Sequence, residues 1–418
     1  MAKPGTDQAR KAAWRLLQGV RDGRSLSDQA EGLAILSVSD QARAARLAAT
    51  ALRHRARAEA VIAAHVNRKP TPQVADVLIL ATVELLELKA AAHGVVDAAV
   101  TLTRSLGKRG QAAAGMVNAV LRKVSAHQDW DRMPPQRLPD WLRRPIAAQW
   151  GKDVAKAIEA AHQRPAPLDL TPKPAAEALP EAETLPTGSL RIAGPVQVSA
   201  LPGFEAGAWW VQDAAAALPV RLLNPQKGQR IADLCAAPGG KTLQLAAAEA
   251  EVTAVDISAP RLKRLSQNLR RCGLTAEIVT ADALNWRPKG GLDAILLDAP
   301  CSATGTIRRH PDLPFLRDGS GIADLVALQA QLIDHALDLL PAGGRMVYAV
   351  CSLLVDEGEE QIRAALTRHE GLQVLHPDLP GIDPAWITPE GGLRLRPDYW
   401  PERGGMDGFY LAHLQKPT

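Results

Sequence analysis

From about residue 212 onward the chain alternates between short apolar runs and helix-length segments, and no other feature constrains its fold as strongly. The runs 230–234, 251–255, 276–279, 293–297 and 344–350 are strand candidates, and the stretches between them are long enough for helices. Strands joined in this way predict a parallel sheet covered by helices, an α/β domain. Ligands of such sheets bind beyond the carboxyl ends of the strands, so the side chains just after each strand are the ones that carry chemistry.

The first 130 residues have a different texture. From residue 8 to about 124, apolar side chains recur three and four apart with almost no β-branched alternation, which predicts helices throughout. Thr71-Pro72 is an N-cap followed by proline in the first turn, and Val74, Val77, Leu78, Ala81, Leu85 and Leu88 form one apolar face that needs a helical neighbour. A second helix over 111–124 carries Met116, Val117, Val120 and Leu121, and the two together predict an all-α bundle. The cluster Arg53-His54-Arg55-Ala56-Arg57 is too densely charged for a core. Between 130 and 204, Met133-Pro134-Pro135, Arg164-Pro165-Ala166-Pro167 and Thr171-Pro172-Lys173-Pro174 break the chain into short pieces. This segment is a linker or a small α+β module, with a helix in 139–162 and a few strands in 168–198. The expected domains are therefore 1–128, 129–204 and 205–418.

Composition agrees with a folded, multidomain protein. The chain has 418 residues, more than one core usually covers, with 46% apolar and 22% charged residues. Its start, Met1-Ala2-Lys3-Pro4-Gly5-Thr6-Asp7, has no leader pattern and no later run reaches bilayer length, so a cytoplasmic location is expected. The four cysteines Cys235, Cys272, Cys301 and Cys351 include no Cys-x-x-Cys pair, which argues against a disulfide framework and against a zinc site. Net charge is +4, but residues 1–130 hold 19 Lys and Arg against 11 Asp and Glu, a balance of +8, leaving −4 for the rest. Basic charge gathered at one end suits a polyanion such as nucleic acid, although a solvated basic face has the same composition.

The first strand candidate runs into Asp233-Leu234-Cys235-Ala236-Ala237-Pro238-Gly239-Gly240-Lys241-Thr242. Small side chains let a ligand approach the backbone, and the helix that follows presents free N–H groups. A phosphate-binding P-loop needs glycine five positions before Gly240, where this chain has Cys235, which disfavours that assignment. The second strand ends at Asp256, placed to accept hydrogen bonds from ribose hydroxyls, and the third ends near Asp282. Acids after the second and third strands, behind a small-residue loop, fit S-adenosylmethionine or a dinucleotide. The fourth strand leads to Asp298-Ala299-Pro300-Cys301-Ser302 and the fifth to Val350-Cys351-Ser352. Two thiols at one sheet edge have no use in hydride transfer, and strand-end positions favour them over the alternative of small buried hydrophobes.

On these segments, with Arg309-His310-Pro311-Asp312, Asp407-Gly408-Phe409-Tyr410 and Val211-Gln212-Asp213-Ala214-Ala215, the chain resembles the RsmB/Sun branch of the RsmB/NOP2/Sun RNA cytosine-5 methyltransferases over nearly its whole length. The resemblance implies a NusB-like helical RNA-binding domain, an intermediate module and a Rossmann-like catalytic domain that uses S-adenosylmethionine. It implies that Cys351 adds to C6 of cytosine, that Cys301 serves the release step, and that Asp298 bonds N3 and N4. It further implies that Cys235, Ala236, Ala237, Pro238, Gly239, Gly240 and Lys241 hold the methionine end and ribose, with Asp256 on the ribose hydroxyls and Asp282 near adenine. Arg53, Arg55, Arg57, Arg309 and His310 are candidate RNA contacts, and Cys272 matches no catalytic motif. One departure is Val350, where the family has threonine before the nucleophile. The expected substrate is small-subunit ribosomal RNA and the expected state a monomer; transfer RNA, or RNA binding without catalysis, are the alternatives.

Overall fold

The computed structural model of the protein describes residues 4–418 except 175, 177, 178, 180 and 195; Met1, Ala2 and Lys3 of the expected leaderless start lie outside the described residues. The chain divides into two compact units, Met1–Pro165 with Ile307–Gly319, and Ala166–Thr306 with Ser320–Thr418.

The first unit is helical: α1 (Pro4–Arg21), α2 (Val38–Arg53), α3 (Arg55–Ala63), α4 (Pro72–Leu86), α5 (Ala92–Arg104), α6 (Lys108–Val124), α7 (Asp140–Trp150) and α8 (Lys152–His162). Helix α4 is its axis. Thr71 and Pro72 start it as expected, but its burial is not one-sided: every residue from Asp76 to Leu86 is buried. A helix apolar on all faces belongs in the middle of a bundle. Leu88 lies past its end and is 37% exposed, so it does not continue the stripe. The two acids of α4 are buried and gather arginines from other helices. Glu84 accepts from Arg10 at 2.8 and 2.9 Å and from Arg43 at 3.0 Å; Asp76 takes Arg21 and, at 3.5 Å, Arg55.

Those bonds, with the packing around α3, correct the expectation for the Arg53–Arg57 cluster. His54 and Arg57 are inside the unit, not outside it. The Arg57 guanidinium donates to the Pro134 carbonyl at 2.9 Å, to that of Met133 and to Gln163 at 3.2 Å. Arg53 donates to the Arg308 carbonyl at 2.7 Å, and burial pulls its pKa down to about 10. Long side chains can bury their stems and spend their heads on backbone carbonyls, so charge density alone does not exclude a core. The same bonds explain why this unit passes the expected boundary at 128: α7 and α8 pack with it. Gly151, with φ +90°, separates them where one helix was expected.

The second unit begins with a four-stranded antiparallel sheet of β1 (Leu168–Pro172), β2 (Glu183–Thr184), β3 (Leu190–Ile192) and β4 (Trp209–Val211) in the order β2-β3-β1-β4. It belongs to this unit, not to a separate module ending at 204. Buried Asp169 pairs with Arg191 at 2.6 and 2.7 Å and accepts from the Ala214 amide at 3.0 Å, while Arg191 also reaches the Arg403 and Gly405 carbonyls.

The main sheet is built from β5 (Arg230–Leu234), β6 (Glu251–Asp256), β7 (Glu277–Thr280), β8 (Ala294–Asp298), β9 (Arg345–Val350), β10 (Gln373–Val374), β11 (Leu393–Leu395) and β12 (Phe409–Gln415). Its order is β10-β12-β9-β8-β5-β6-β7, with β11 on β12. The five expected strands form the parallel part, each within one or two residues of its expected bounds. The sheet is mixed, however: β12 runs antiparallel along β9, pairing Tyr410 with Val350. Helices α9 (Ala214–Leu223), α10 (Gly240–Ala247), α11 (Ala259–Cys272), the short α12 (Leu313–Leu316, in the helical unit), α13 (Ile322–Leu339) and α14 (Glu359–Arg368) complete the chain. No helix among the described residues is long and apolar enough to cross a membrane.

Candidate active site

The sheet order puts β5 between β6 and β8, with β9 beyond β8, so the loops after these four strands share one edge. After β5 the chain turns at Cys235, a non-glycine residue at φ +61°, and Ala236 bonds back to the Val255 carbonyl at 3.0 Å. The Ala237 amide donates to Asp256 Oδ2 at 3.0 Å. The other Asp256 oxygen accepts from the Ser258 amide at 2.8 Å, and the carboxylate is buried at the lip of the loop. Gly239, at φ +105°, then opens α10. Beside Asp256, Ile257 is 72% exposed, a large apolar side chain in the open next to an acid. A strand-end acid with an apolar neighbour, facing a loop of small residues, fits a nucleoside with its flat ring and ribose. Asp282 is exposed and caps its own turn, accepting from Leu284 at 3.0 Å and Asn285 at 2.8 Å.

Lys241, on the first turn of α10, is buried and donates to Asp298 Oδ2 at 2.7 Å. Burial opposes its charge, but the Asp298 carboxylate and its hydrogen bond outweigh that, and the Lys241 pKa lies above the ordinary lysine value. Its ammonium also sits over the Phe409 ring, 5.4 Å from the centroid. Asp298, at the end of β8, keeps a partly exposed carboxylate. Three residues on, Cys301 meets Cys351 from the end of β9: the two sulfurs are 3.5 Å apart. The hydrogen bond to Cys351, burial and the neighbouring Glu357 charge hold the Cys301 thiol well above its ordinary pKa, so it is protonated in the resting site. Cys235 is also a thiol, pushed up to about 12 by burial and the nearby acids, and packs against the core beneath the loop. Cys272 is buried at the end of α11, away from this edge.

The geometry adds residues that the motifs did not single out. Glu357, fully buried, accepts from the Ser302 amide at 2.8 Å and from both the Ser302 and Ser352 hydroxyls at 2.5 Å. Its signal was absent because a glutamate near the start of a helix ordinarily reads as a surface residue. Asp233, under the loop, is fully buried; Thr242 donates to one oxygen at 2.5 Å and the other has no partner. Burial raises its pKa from 3.8 to about 7. The folded chain holds that proton more tightly than the unfolded chain, so the stability it lends is complete below pH 3.8 and lost as pH rises through about 7. Asp233→Asn, neutral throughout, is expected to show a smaller fall in apparent Tm between about pH 5 and pH 8 than the native chain. An equal fall in both, by differential scanning fluorimetry, refutes a proton on Asp233. His162 and His413, buried and neutral with pKa values near 3 and 4, lose stability in the opposite direction as pH falls below 6.5, equally in both proteins.

The other predicted residues lie elsewhere. Arg309 and His310 belong to the Ile307–Gly319 excursion, which is part of the helical unit, as are Arg53, Arg55 and Arg57. Among the described residues, no group of three or more His, Cys, Asp or Glu could hold a metal ion.

The profile of 16S rRNA methyltransferase RsmB/F matches residues 220–415, and that of the NusB family matches residues 7–126. Ribosomal RNA small subunit methyltransferase B of Erwinia tasmaniensis is 38% identical over 78% of this chain and 77% of its own length. The protein of that name from Cronobacter sakazakii is 36% identical over 97% of both chains. Among solved structures, a methyltransferase homolog protein from Pyrococcus horikoshii superposes with a TM-score of 0.55 at 26% identity, covering 65% of this chain and 93% of its own. The chain therefore belongs to the 16S rRNA methyltransferase RsmB/F family, as an S-adenosylmethionine-dependent RNA methyltransferase with a NusB-family helical domain ahead of its catalytic α/β domain.

Proposed function

We propose that the protein methylates C5 of a cytosine in small-subunit ribosomal RNA through a covalent bond between Cys351 and C6. The observation that carries this reading is the contact of Cys301 and Cys351 at 3.5 Å, on the loops that follow two adjacent parallel strands and beside the Lys241–Asp298 pair. C5 of cytosine is a weak nucleophile. Addition of the Cys351 thiolate to C6 pushes electrons toward C5 and N3, and the Asp298–Lys241 pair, a carboxylate to accept from the N4 amino group and an ammonium to donate to N3, favours that flow. S-adenosylmethionine supplies the methyl group as an electrophile. A base then takes the C5 proton, the C–H pair closes the C5–C6 double bond and the S–C6 pair returns to the Cys351 sulfur; Cys301, in contact with that sulfur, is the group we assign to this release, as the base once its own proton has been given up. Lys241 holds the Asp298 carboxylate in place and adds positive charge near the Cys351 sulfur.

For the cofactor, the turn from Cys235 to Lys241 would hold the methionine end and ribose, Asp256 would take the ribose hydroxyls and Ile257 and Asp282 would lie toward adenine. The target base has to leave its stack to reach the sheet edge. We propose that the helical unit binds RNA phosphates through its exposed cations. Lys108, Arg109, Arg122 and Lys123 on α6 are exposed, whereas Arg57 and Arg53 are spent on carbonyls and Arg55 on Asp76 and Glu59. Arg309 and His310 complete the candidates, and affinity is expected to weaken with salt.

The test is methyl transfer from labelled S-adenosylmethionine to unmodified small-subunit ribosomal RNA and to transfer RNA, with digestion to nucleosides. Label in 5-methylcytidine from ribosomal RNA is expected. Label in transfer RNA alone replaces the substrate, and label in another nucleoside overturns the cytosine chemistry.

A further inference from the structure

Cys301 and Cys351 sit on separate loops, and a sulfur contact of 3.5 Å between loops needs something to hold it. Each cysteine is followed by a serine that is completely buried, Ser302 and Ser352, and both serines converge on one carboxylate. Glu357 Oε1 accepts from the Ser302 amide at 2.8 Å and from Gln329 Nε2 at 3.0 Å. Its Oε2 accepts from the Ser302 and Ser352 hydroxyls, each at 2.5 Å, and the two hydroxyls are 3.1 Å apart. The backbone of Glu357 is held in turn, because its carbonyl accepts from buried Tyr348, on β9, at 2.6 Å. Thr304 closes the set, accepting from the Leu353 amide at 2.9 Å. Glu357 is 0% exposed and meets the two cysteine loops through the serines that follow each thiol. An apolar side chain at this position would leave four buried donors, from Ser302, Gln329 and Ser352, without an acceptor. What the carboxylate does that an apolar group cannot is accept from both loops at once.

We infer that Glu357 is a positioning residue that sets the distance and orientation of the two thiols, and thereby couples attack by Cys351 to release by Cys301. Its kinetic consequence rests on the covalent reading proposed above; its geometric consequence does not. A displacement of about 1 Å at a reacting group costs on the order of 10²-fold in rate, and the brace is what prevents it.

Two readouts on the full chain test this. The first is the rate at which diamide, a diazene oxidant, joins Cys301 to Cys351; two thiols lose their hydrogens to the reagent, which becomes a hydrazine. The bond is identified by peptide mapping, and its rate reports thiol separation without any turnover. The second is kcat for methyl transfer beside the affinity for S-adenosylhomocysteine. Glu357→Gln preserves size but turns a donor toward the serine hydroxyls. It is expected to slow linking about tenfold and to lower kcat on the order of 10²-fold, with cofactor affinity unchanged. Ser352→Ala, a smaller perturbation, is expected to move both in the same direction and serves where the glutamine variant does not fold. Native linking rate and native kcat in a folded variant overturn the inference. So does loss of thermal stability with both readouts unchanged, since that is a merely structural glutamate. Slowed linking in a protein whose native form makes no 5-methylcytidine keeps the brace and removes the covalent reading.

Discussion

Cys301→Ala is expected to accumulate a covalent protein–RNA adduct that survives denaturing electrophoresis, and Cys351→Ala to form none. The two thiols lie in contact, and the proposed reaction gives them opposite tasks: Cys351 makes the bond to C6 and Cys301 serves the step that breaks it. Removing the attacking thiol takes away covalent catalysis altogether, and methyl transfer is expected to fall by at least about 10³-fold. Removing the release group leaves attack and methyl transfer intact but strands the product on Cys351, so a single turnover yields methylated RNA bound to protein. The high pKa of the Cys301 thiol agrees with this division, since a group protonated at rest does not compete as the nucleophile. An adduct in Cys351→Ala, or its absence in Cys301→Ala with normal turnover, exchanges or discards the roles. The double variant is expected to resemble Cys351→Ala, because release has no meaning without attack.

Gly305→Ala is expected to be nearly as damaging, although the added methyl group is far smaller than a thiol's chemistry. A Cβ at 305 would lie 1.9 Å from the Gly408 carbonyl oxygen and 2.6 Å from its carbon, and neither is the end of a flexible side chain. The two glycines are bonded through their backbones: Gly408 N–H donates to the Gly305 carbonyl at 2.8 Å, and Gly305 N–H donates to the Cys351 carbonyl at 3.0 Å. Relief of the clash pulls the Cys301 loop from β12 and removes the donor from the nucleophile's own peptide. Overpacking of this kind costs about 1–3 kcal/mol. The larger effect is expected on kcat, on the order of 10²-fold, with cofactor affinity retained because the proposed cofactor site follows β5 and β6. Isothermal titration with S-adenosylhomocysteine, thermal melting and single-turnover methyl transfer separate these terms. Unchanged kcat refutes the role assigned to this backbone junction.

Both predictions concern residues whose part in the site was legible to different degrees in the chain itself. That Asp298, Cys301 and Cys351 would gather at one edge was readable because strands buried on both faces end where their apolar runs end, and a parallel sheet brings those ends together. The loop from Cys235 to Lys241 was readable from its small side chains, and the parallel strands from their apolar runs. The last strand, Phe409–Gln415, was not, although its motif was: a single apolar run at the end of a chain does not say whether it runs with or against its neighbours. Glu357 was invisible, because a buried carboxylate is defined by the four donors that surround it, and these come from residues 302, 329 and 352. The arginines near residue 55 were misleading for a related reason. Charge is a property of sequence, but whether a guanidinium meets solvent or the Pro134 carbonyl depends on packing.

The order of apolar and polar residues by itself determined an all-helical part followed by an α/β part, and it set the candidate site residues at strand ends, because local periodicity dictates which segments form and which faces they bury. Only the tertiary structure decided where the units divide, that the sheet takes an antiparallel strand at β12, and that two thiols fifty residues apart touch. Those are long-range facts. They depend on which strands pair and which buried polar groups find partners, and that choice is made by the whole chain at once, not by any segment of it.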